Sequence, residues 1–327
     1  MGFSSSDTSD FHSRAPSPLE PVYVSPVPRR HRRAIRWHLI LFLLTVTTTI
    51  LVGAEHFASF SIDFGSRDPD GSLPYFLLNG LWYSASILAI LGAHEFGHYF
   101  ACRFYGVDAT LPYFLPAPLP LTGTLGAFIR IRQPIASKRE LFDIGIAGPI
   151  AGFIVAIPVL LVGMSLSRVS ALPADTTGFF ELGEPLLFRA VAWLVWGTPA
   201  EGYSLNLHPM AFAAWFGLLA TALNLFPIGQ LDGGHISYAV FGRKSTLVTL
   251  ATVASLIGLT FVSSSWIVWT VLTVVMLIAF GPRHPPTIDE HVPLDLTRRR
   301  LAVLALIMFI VCFTPTPIEV FSLGARP

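Results

Sequence analysis

The stretch Leu81-WYSASILAILGAHEFGHYFACR-Phe104 is an apolar run with three ionisable side chains within five residues near one end. As an α-helix it is long enough to cross the hydrocarbon layer of a bilayer, which takes about 20 residues. His94 and His98 are four residues apart, so both imidazoles project from one face of such a helix. Ionisable groups are costly at the end of an apolar span and usually mark function. The stretch therefore predicts a membrane helix that carries a functional site.

The composition of the whole chain is that of a membrane protein. Of its 327 residues, 53% are hydrophobic and 13% are charged, and this charged fraction is about half that of a soluble domain. The formal net charge of +1 gives no reason to expect nucleic-acid binding. The two cysteines, Cys102 and Cys312, lie in or beside apolar segments, so we expect neither a disulfide framework nor a cysteine-rich zinc module.

The apolar segments predict an α-helical polytopic membrane protein with six or seven transmembrane helices and a short re-entrant β element. Five segments are long enough to span and two are shorter: 37–54, 78–100, 141–166, 209–228 and 245–262, then 265–280 and 301–315. No cleavable signal peptide is visible in residues 1–27, which we expect to be disordered. The basic cluster at 28–36 precedes the first span and predicts a cytoplasmic N-terminus.

The segment 106–140 cannot form a continuous helix because five prolines interrupt it. Near its middle, Gly123–Arg132 contains β-branched residues and an alternation that predict short strands. Irregular backbone at membrane depth must be buried against protein or face a watery cavity. We therefore expect a re-entrant element near a site, and the alternative is an ordinary cytoplasmic loop.

The spacing of His94-Glu-Phe-Gly-His98 is that of H-E-x-x-H, in which two imidazoles bind one Zn²⁺ and the glutamate touches the zinc-bound water. Such a site needs a third protein ligand. Asp232 is the candidate, within Asn224-LFPIGQLDGG-His235 at the end of the fourth long span. The predicted spans place Asp232 on the same side of the membrane as His98. Taken alone, Asp-Gly-Gly is more often a turn than a ligand.

The two motifs together resemble the site-2 protease family of intramembrane zinc metalloproteases. Within that family, the chain resembles a bacterial-type member that lacks a PDZ domain. Gly123–Arg132 looks like the family's re-entrant strand region, and Phe142–Gly152 resembles its small-residue span. Gln230 departs from the commoner motif, which has a second proline there. The stretch Ser167–His208 is too short for a PDZ module. The expected location is the bacterial inner membrane, and the alternation of spans from the cytoplasmic N-terminus predicts an active site toward the cytoplasm.

The resemblance implies a role for each candidate residue. His94, His98 and Asp232 would bind Zn²⁺, and Glu95 would act as the general base toward zinc-bound water. Asn224 resembles a family residue that donates to the oxyanion, although an interhelical hydrogen bond is an equal alternative. A separate hypothesis, drawn from the strand pattern, is that an exposed edge binds an extended substrate by strand addition through Phe128, Ile129 and Arg130.

The expected partners are a transmembrane protein substrate and the lipid bilayer, and the sequence does not indicate an oligomeric state. The expected organisation is a disordered basic cytoplasmic tail (1–36), a first transmembrane helix with an external loop (37–76), a catalytic core (77–240) and C-terminal transmembrane helices (241–327). Two other functions stay open: a metal ion transporter, because intramembrane ligands can line an ion pathway, and a catalytically silent homologue that binds membrane proteins.

Overall fold

The computed structural model describes residues 31–68, 71–119, 121–173, 180–281 and 285–320. The predicted disordered stretch 1–27 lies outside these residues. Helices dominate the described chain: α1 (His31–Ile62), α2 (Leu73–Phe104), α3 (Lys138–Leu166), α4 (Leu186–Trp196), α5 (Pro209–Asn224), α6 (Asp232–Phe241), α7 (Ser245–Leu259), α8 (Trp266–Phe280) and α9 (Leu296–Cys312). The strands are short: β1 (Tyr113–Pro116), β2 (Thr124–Phe128), β3 (Arg168–Ala171), β4 (Phe180–Leu182), β5 (Tyr203–Asn206) and β6 (Ile318–Val320).

Several helices have the length and apolar composition of membrane spans. Within the described ranges, four stretches qualify: Ile35–Ile62, Leu73–Phe104, Lys138–Leu166 and Asp232–Leu259. The last stretch joins α6 and α7 through a short 3-10 turn. Shorter apolar helices are Leu186–Trp196, Pro209–Asn224 and Trp266–Ile278. The predicted mainly helical membrane architecture is thereby confirmed, while a total of six or seven spans stays a prediction.

Helix α3 lies at the centre of the packing and contacts α2 and α5. The largest apolar cluster joins these helices with α4 and includes Ile90, Leu160, Trp215 and Leu218, each almost completely buried. Small residues allow close approach, because a Cβ on Gly97 would lie 3.0 Å from the Cβ of Ala151 on α3. Packing through small residues is typical of helices in lipid, where apolar burial alone gives little driving force between helices.

Strands β1 and β2 form an antiparallel hairpin that lies along α1. Near one end of the hairpin, His38 Nδ1 is 3.1 Å from the carbonyl oxygen of Pro112, and near the other, His56 Nε2 is 3.0 Å from that of Leu121. These two histidines are 18 residues apart on α1, which corresponds to a rise of about 27 Å. Strand β2 falls within Gly123–Arg132, where the sequence predicted short strands.

The segment between α3 and α5 contains structure that the sequence did not predict. It holds helix α4 and strands β3 and β5, which pair with Arg168 opposite Asn206. Strand β4 pairs with the distant β6, with Glu181 opposite Glu319. Sequence patterns missed these pairs because each strand has only three or four residues and its partner lies far along the chain.

A polar cluster holds the start of α9 against the ends of α2 and α3. The guanidinium of Arg298 donates to the carboxylates of Asp143 and Asp295, and the Tyr105 hydroxyl also donates to Asp143. The Asp295 side chain caps α9 by accepting from the Arg298 amide at 3.0 Å. Arg298 therefore links the start of α9 to the start of α3 and the end of α2.

Candidate metal centre

Helix α2 brings His94, Glu95 and His98 to one place near its C-terminal end. All three are buried, with 6%, 8% and 7% of their surfaces exposed. The ring centroids of the two histidines are 4.8 Å apart. The i, i+4 spacing therefore does bring both imidazoles to the same side of the helix.

Asp232 reaches the same place from another helix. Helix α5 ends at Asn224, Gly229 has a φ of 50° in the following turn, and α6 begins at Asp232. Left-handed φ values of this kind favour glycine. A Cβ on Gly233 would overlap the carbonyl oxygen of Leu225, so the first turn of α6 packs directly on the preceding turn. The Asp-Gly-Gly sequence thus sets the direction from which the carboxylate enters.

The side-chain atoms of these three residues converge. The Nε2 atoms of His94 and His98 are 3.1 Å apart. Asp232 Oδ2 lies 3.1 Å from Nε2 of His94, and Oδ1 lies 3.3 Å from Nε2 of His98. In the described part of the chain, these residues form the group of potential ligands close enough to share an ion, with one atom from each within 4.8 Å of the others.

These separations suit zinc. A tetrahedron with bonds of about 2.0–2.1 Å to nitrogen and oxygen has edges of about 3.3 Å. The two Nε2 atoms are 3.1 Å apart, and each lies 3.1 Å or 3.3 Å from a different oxygen of the Asp232 carboxylate. Two histidines and one carboxylate leave a fourth position for water or substrate, as catalytic zinc sites do. The arrangement therefore fits the predicted Zn²⁺.

The main chain of α3 fixes the orientation of one imidazole. His98 Nδ1 is 2.7 Å from the carbonyl oxygen of Ile144. Because a carbonyl oxygen only accepts, Nδ1 carries a proton. In the neutral imidazole, the Nε2 lone pair then points toward His94 and Asp232. A backbone or carboxylate partner of this kind is usual for histidines that bind metals.

Glycines of α3 provide the space for both rings. A Cβ on Gly148 would overlap the His98 ring, and one on Gly152 would lie 3.1 Å from the Cβ of His94. The sequence analysis placed both glycines in the small-residue span Phe142–Gly152 and did not connect them with the histidines. Their spacing was the available signal, but spacing does not reveal which side chain fills the space.

Glu95 and Asn224 lie beside the three converging residues. The Glu95 carboxylate faces the main chain of Ile129. Asn224, the last residue of α5, has its Nδ2 3.5 Å from Nε2 of His94. Both predicted catalytic residues are thus adjacent to the candidate metal ligands.

The three predicted substrate-binding residues are placed differently from one another. Ile129 lies beside Glu95 through its main chain. Phe128 is 44% exposed and stacks on Tyr113 across the hairpin, with ring centroids 5.4 Å apart. Arg130 is exposed, and its amide donates to Thr110 Oγ1 at 3.0 Å. The structure therefore brings one of the three to the centre and places the other two along the adjoining strand.

Comparisons with known proteins agree with this site. The family model described as Peptidase family M50 matches residues 82–265, more than half of the chain. The probable zinc metalloprotease EGY2, chloroplastic, of Arabidopsis thaliana is 32% identical over 74% of this chain and 43% of its own length. The probable zinc metalloprotease EGY1, chloroplastic, of the same plant is 27% identical over 85% of this chain and 52% of its own length. No solved structure matches at a significant level.

The apolar helices are typical of a membrane protein. The centre of two histidines and one carboxylate, with its H-E-x-x-H motif, is typical of a metalloprotein. The chain belongs to peptidase family M50, the site-2 protease family. It spans about half the length of the curated relatives that it matches, or somewhat less. The predicted family is therefore confirmed, the residues present fit the predicted zinc cofactor, and the role of each site residue stays a prediction.

The glycine contacts generate a graded prediction for zinc affinity. Gly148→Ala should weaken zinc binding by about 10- to 100-fold, the usual effect of disturbing the support of a metal ligand, because the methyl group would displace the His98 ring. Gly152→Ala should have a smaller effect. Competition with a chelator on the purified proteins measures both affinities.

The matched control is Gly92→Ala on α2, where a Cβ would make only an ordinary 3.7 Å contact with Phe114. This variant should bind zinc like the wild type. Equal zinc affinity in Gly148→Ala and Gly92→Ala, with all proteins folded by circular dichroism, would contradict the role given to the α3 glycines.

Proposed function

We propose that this chain is an intramembrane zinc metalloprotease that hydrolyses peptide bonds in or near transmembrane segments of membrane-anchored proteins. The convergence of His94, His98 and Asp232 beside Glu95, within apolar helices, carries this proposal. The names of the plant relatives, which call those proteins probable zinc metalloproteases, give further support. The proposed location of the peptide bond follows from the position of the centre in a helix long enough to span a bilayer.

Each residue of the centre has its own role in the proposed hydrolysis. Bound zinc would supply a Lewis acid that polarises a carbonyl and lowers the pKa of water. Glu95 accepts a proton from the attacking water and returns it to the leaving amine. Asn224 donates its amide hydrogen to the developing oxyanion. His94, His98 and Asp232 hold the metal, and burial keeps other water away from the reacting bond.

A strand edge beside Glu95 supports binding of an extended substrate. The main-chain groups of Arg130 and Arg132 bond to residues 108–110. Main-chain groups alternate between the two sides of a strand, so those of Ile129 face the other edge, where Glu95 lies. A substrate segment can add to this edge only after its own helix has unwound. Phe128 and Arg130 would then flank the bound segment.

The proposed topology has six or seven spans, a cytoplasmic N-terminus and an active site toward the cytoplasm. Within it, the β1–β2 hairpin is a re-entrant element, which is supported by its contacts along about 27 Å of α1. We keep the bacterial inner membrane as the proposed location, whereas the plant relatives are named chloroplastic. The proposed organisation is that expected from the sequence, with the catalytic core at 77–240.

The proposed partners are a transmembrane protein substrate and the lipid bilayer, without nucleic acid or a PDZ module. Hydrolysis is favoured over metal transport because the three ligands meet at one point, within 4.8 Å, whereas a transport path needs ligands at several depths. It is favoured over a catalytically silent role because Glu95 is present and adjacent to the ligands.

Glu95→Gln should retain zinc and lose cleavage by at least about 100-fold, because general acid–base catalysis contributes about 10²- to 10⁴-fold. The measurement is zinc per chain together with cleavage of a reporter that carries one transmembrane helix. Glu55→Gln, at an exposed position on α1, is the matched control and should behave like the wild type. Equal turnover by Glu95→Gln and the control would remove Glu95 from its assigned role.

Ile129→Pro should slow cleavage strongly without releasing zinc, because proline removes the N–H at the edge where both Glu95 and the proposed substrate lie. Ile129→Ala keeps the N–H while it shortens the side chain, so it should slow cleavage less. The comparison requires rates for both variants on the same reporter and zinc content for each. Strand addition at this edge is wrong if the proline and alanine variants cleave at the same rate.

A further inference from the structure

Three aromatic rings form a row that runs from α1 across the β1–β2 hairpin. The centroid of the His38 ring lies 3.9 Å from that of Tyr113 on β1, which lies 5.4 Å from that of Phe128 on β2. The interplanar angles are 32° and 26°, so neighbouring rings face each other. Tyr113 and Phe128 are direct partners in the ladder. The row therefore runs across the strands, in the direction in which a further strand would be added.

The row is closed at one end and open at the other. Helix α1 closes it at the buried His38 ring. At the other end, β2 pairs with β1 alone in the described part of the chain, which leaves the second edge of β2 free. Phe128 is 44% exposed, and within the described ranges its ring contact is the one with Tyr113. The outer side of the Phe128 ring is therefore uncovered.

The two faces of this part of the hairpin differ. On one face, Ile129 and Ile131 belong to an apolar cluster around Cys102. Successive side chains of a strand point to opposite faces, so Phe128 and the row lie on the other face. A substrate strand at the free edge would present one side chain beside Phe128, at the spacing of about 4.8 Å between neighbouring strands. That residue adjoins the one opposite Ile129, whose main chain faces Glu95.

The row selects the chemistry of that side chain. Stacked rings prefer centroids about 4.5–7 Å apart, and the strand spacing falls within this range. An aliphatic side chain would fill the same place without the ring–ring attraction. We propose that Phe128 is a specificity-determining residue that favours substrates with an aromatic side chain at the position opposite it. This inference rests on the proposed function, because it concerns the substrate of the same site.

The test uses reporters with one transmembrane helix, in which phenylalanine or leucine is placed in turn at each position of that helix. At one position, the purified full chain should cleave the phenylalanine reporter with a kcat/KM about fivefold above that of the leucine reporter, as expected for one aromatic pair. Phenylalanine is also the weaker helix former. A general effect of easier unwinding would therefore raise the rate at several positions instead of one.

Variants of the row test where the preference arises. Phe128→Leu should abolish the preference for phenylalanine at the selected position, whereas Phe128→Tyr, which keeps a ring, should retain it. Phe100→Leu is the matched control, because Phe100 is a 63% exposed ring on α2 that lies outside the row. This control should keep the preference. The proposal is overturned if the wild type shows no selected position, or if Phe128→Leu and Phe100→Leu keep the preference equally.

A binding measurement separates this inference from the proposed function. The affinities of Glu95→Gln for the same fluorescent reporters, measured by anisotropy in detergent, should show the same preference at the same position. Preferential binding without cleavage of any reporter by the wild type would remove the proposed function and leave the aromatic subsite. Cleavage at equal rates for phenylalanine and leucine at every position would leave the protease and remove the subsite.

Discussion

Two imidazole nitrogens and a carboxylate meet at 3.1–3.3 Å in a buried place between apolar helices. When the His98 imidazole is neutral, it donates from Nδ1 to a carbonyl, and its Nε2 presents a lone pair toward His94 and Asp232. A shared cation is the partner that satisfies all three, since buried polar groups without partners are costly. The rest of the structure around this point serves to bring two separate helix ends to the same depth and hold them there.

Helix α3 does much of this work, although it contributes no ligand side chain. The Ile144 carbonyl orients one ring, while Gly148 and Gly152 leave the volume that both rings occupy. One residue before Ile144, Asp143 binds Arg298 from α9, which links the site to the C-terminal helices. A substitution in α3 or α9 should therefore be able to alter zinc binding without touching a ligand.

The predictable part of the site was that determined by local geometry. Helical spacing was sufficient to place His94 and His98 together, and proline and glycine were sufficient to end α5 before Asp232. The predicted spans made Asp232 a candidate partner of the histidines, and the family resemblance strengthened this pairing, because no local pattern joins residues 138 positions apart. The contact between His98 and the Ile144 carbonyl could not be predicted, since every residue has a backbone carbonyl and the residue type does not show which one accepts the hydrogen bond.

The account requires one zinc ion held by both motifs, so the most direct measurement is zinc K-edge X-ray absorption on the purified chain and on Asp232→Ala. We expect one zinc per chain, two imidazole nitrogens and light oxygen ligands in the wild type, and loss of zinc or of one oxygen ligand in the variant. Sulfur ligands, or an identical spectrum and zinc content in Asp232→Ala, would contradict it.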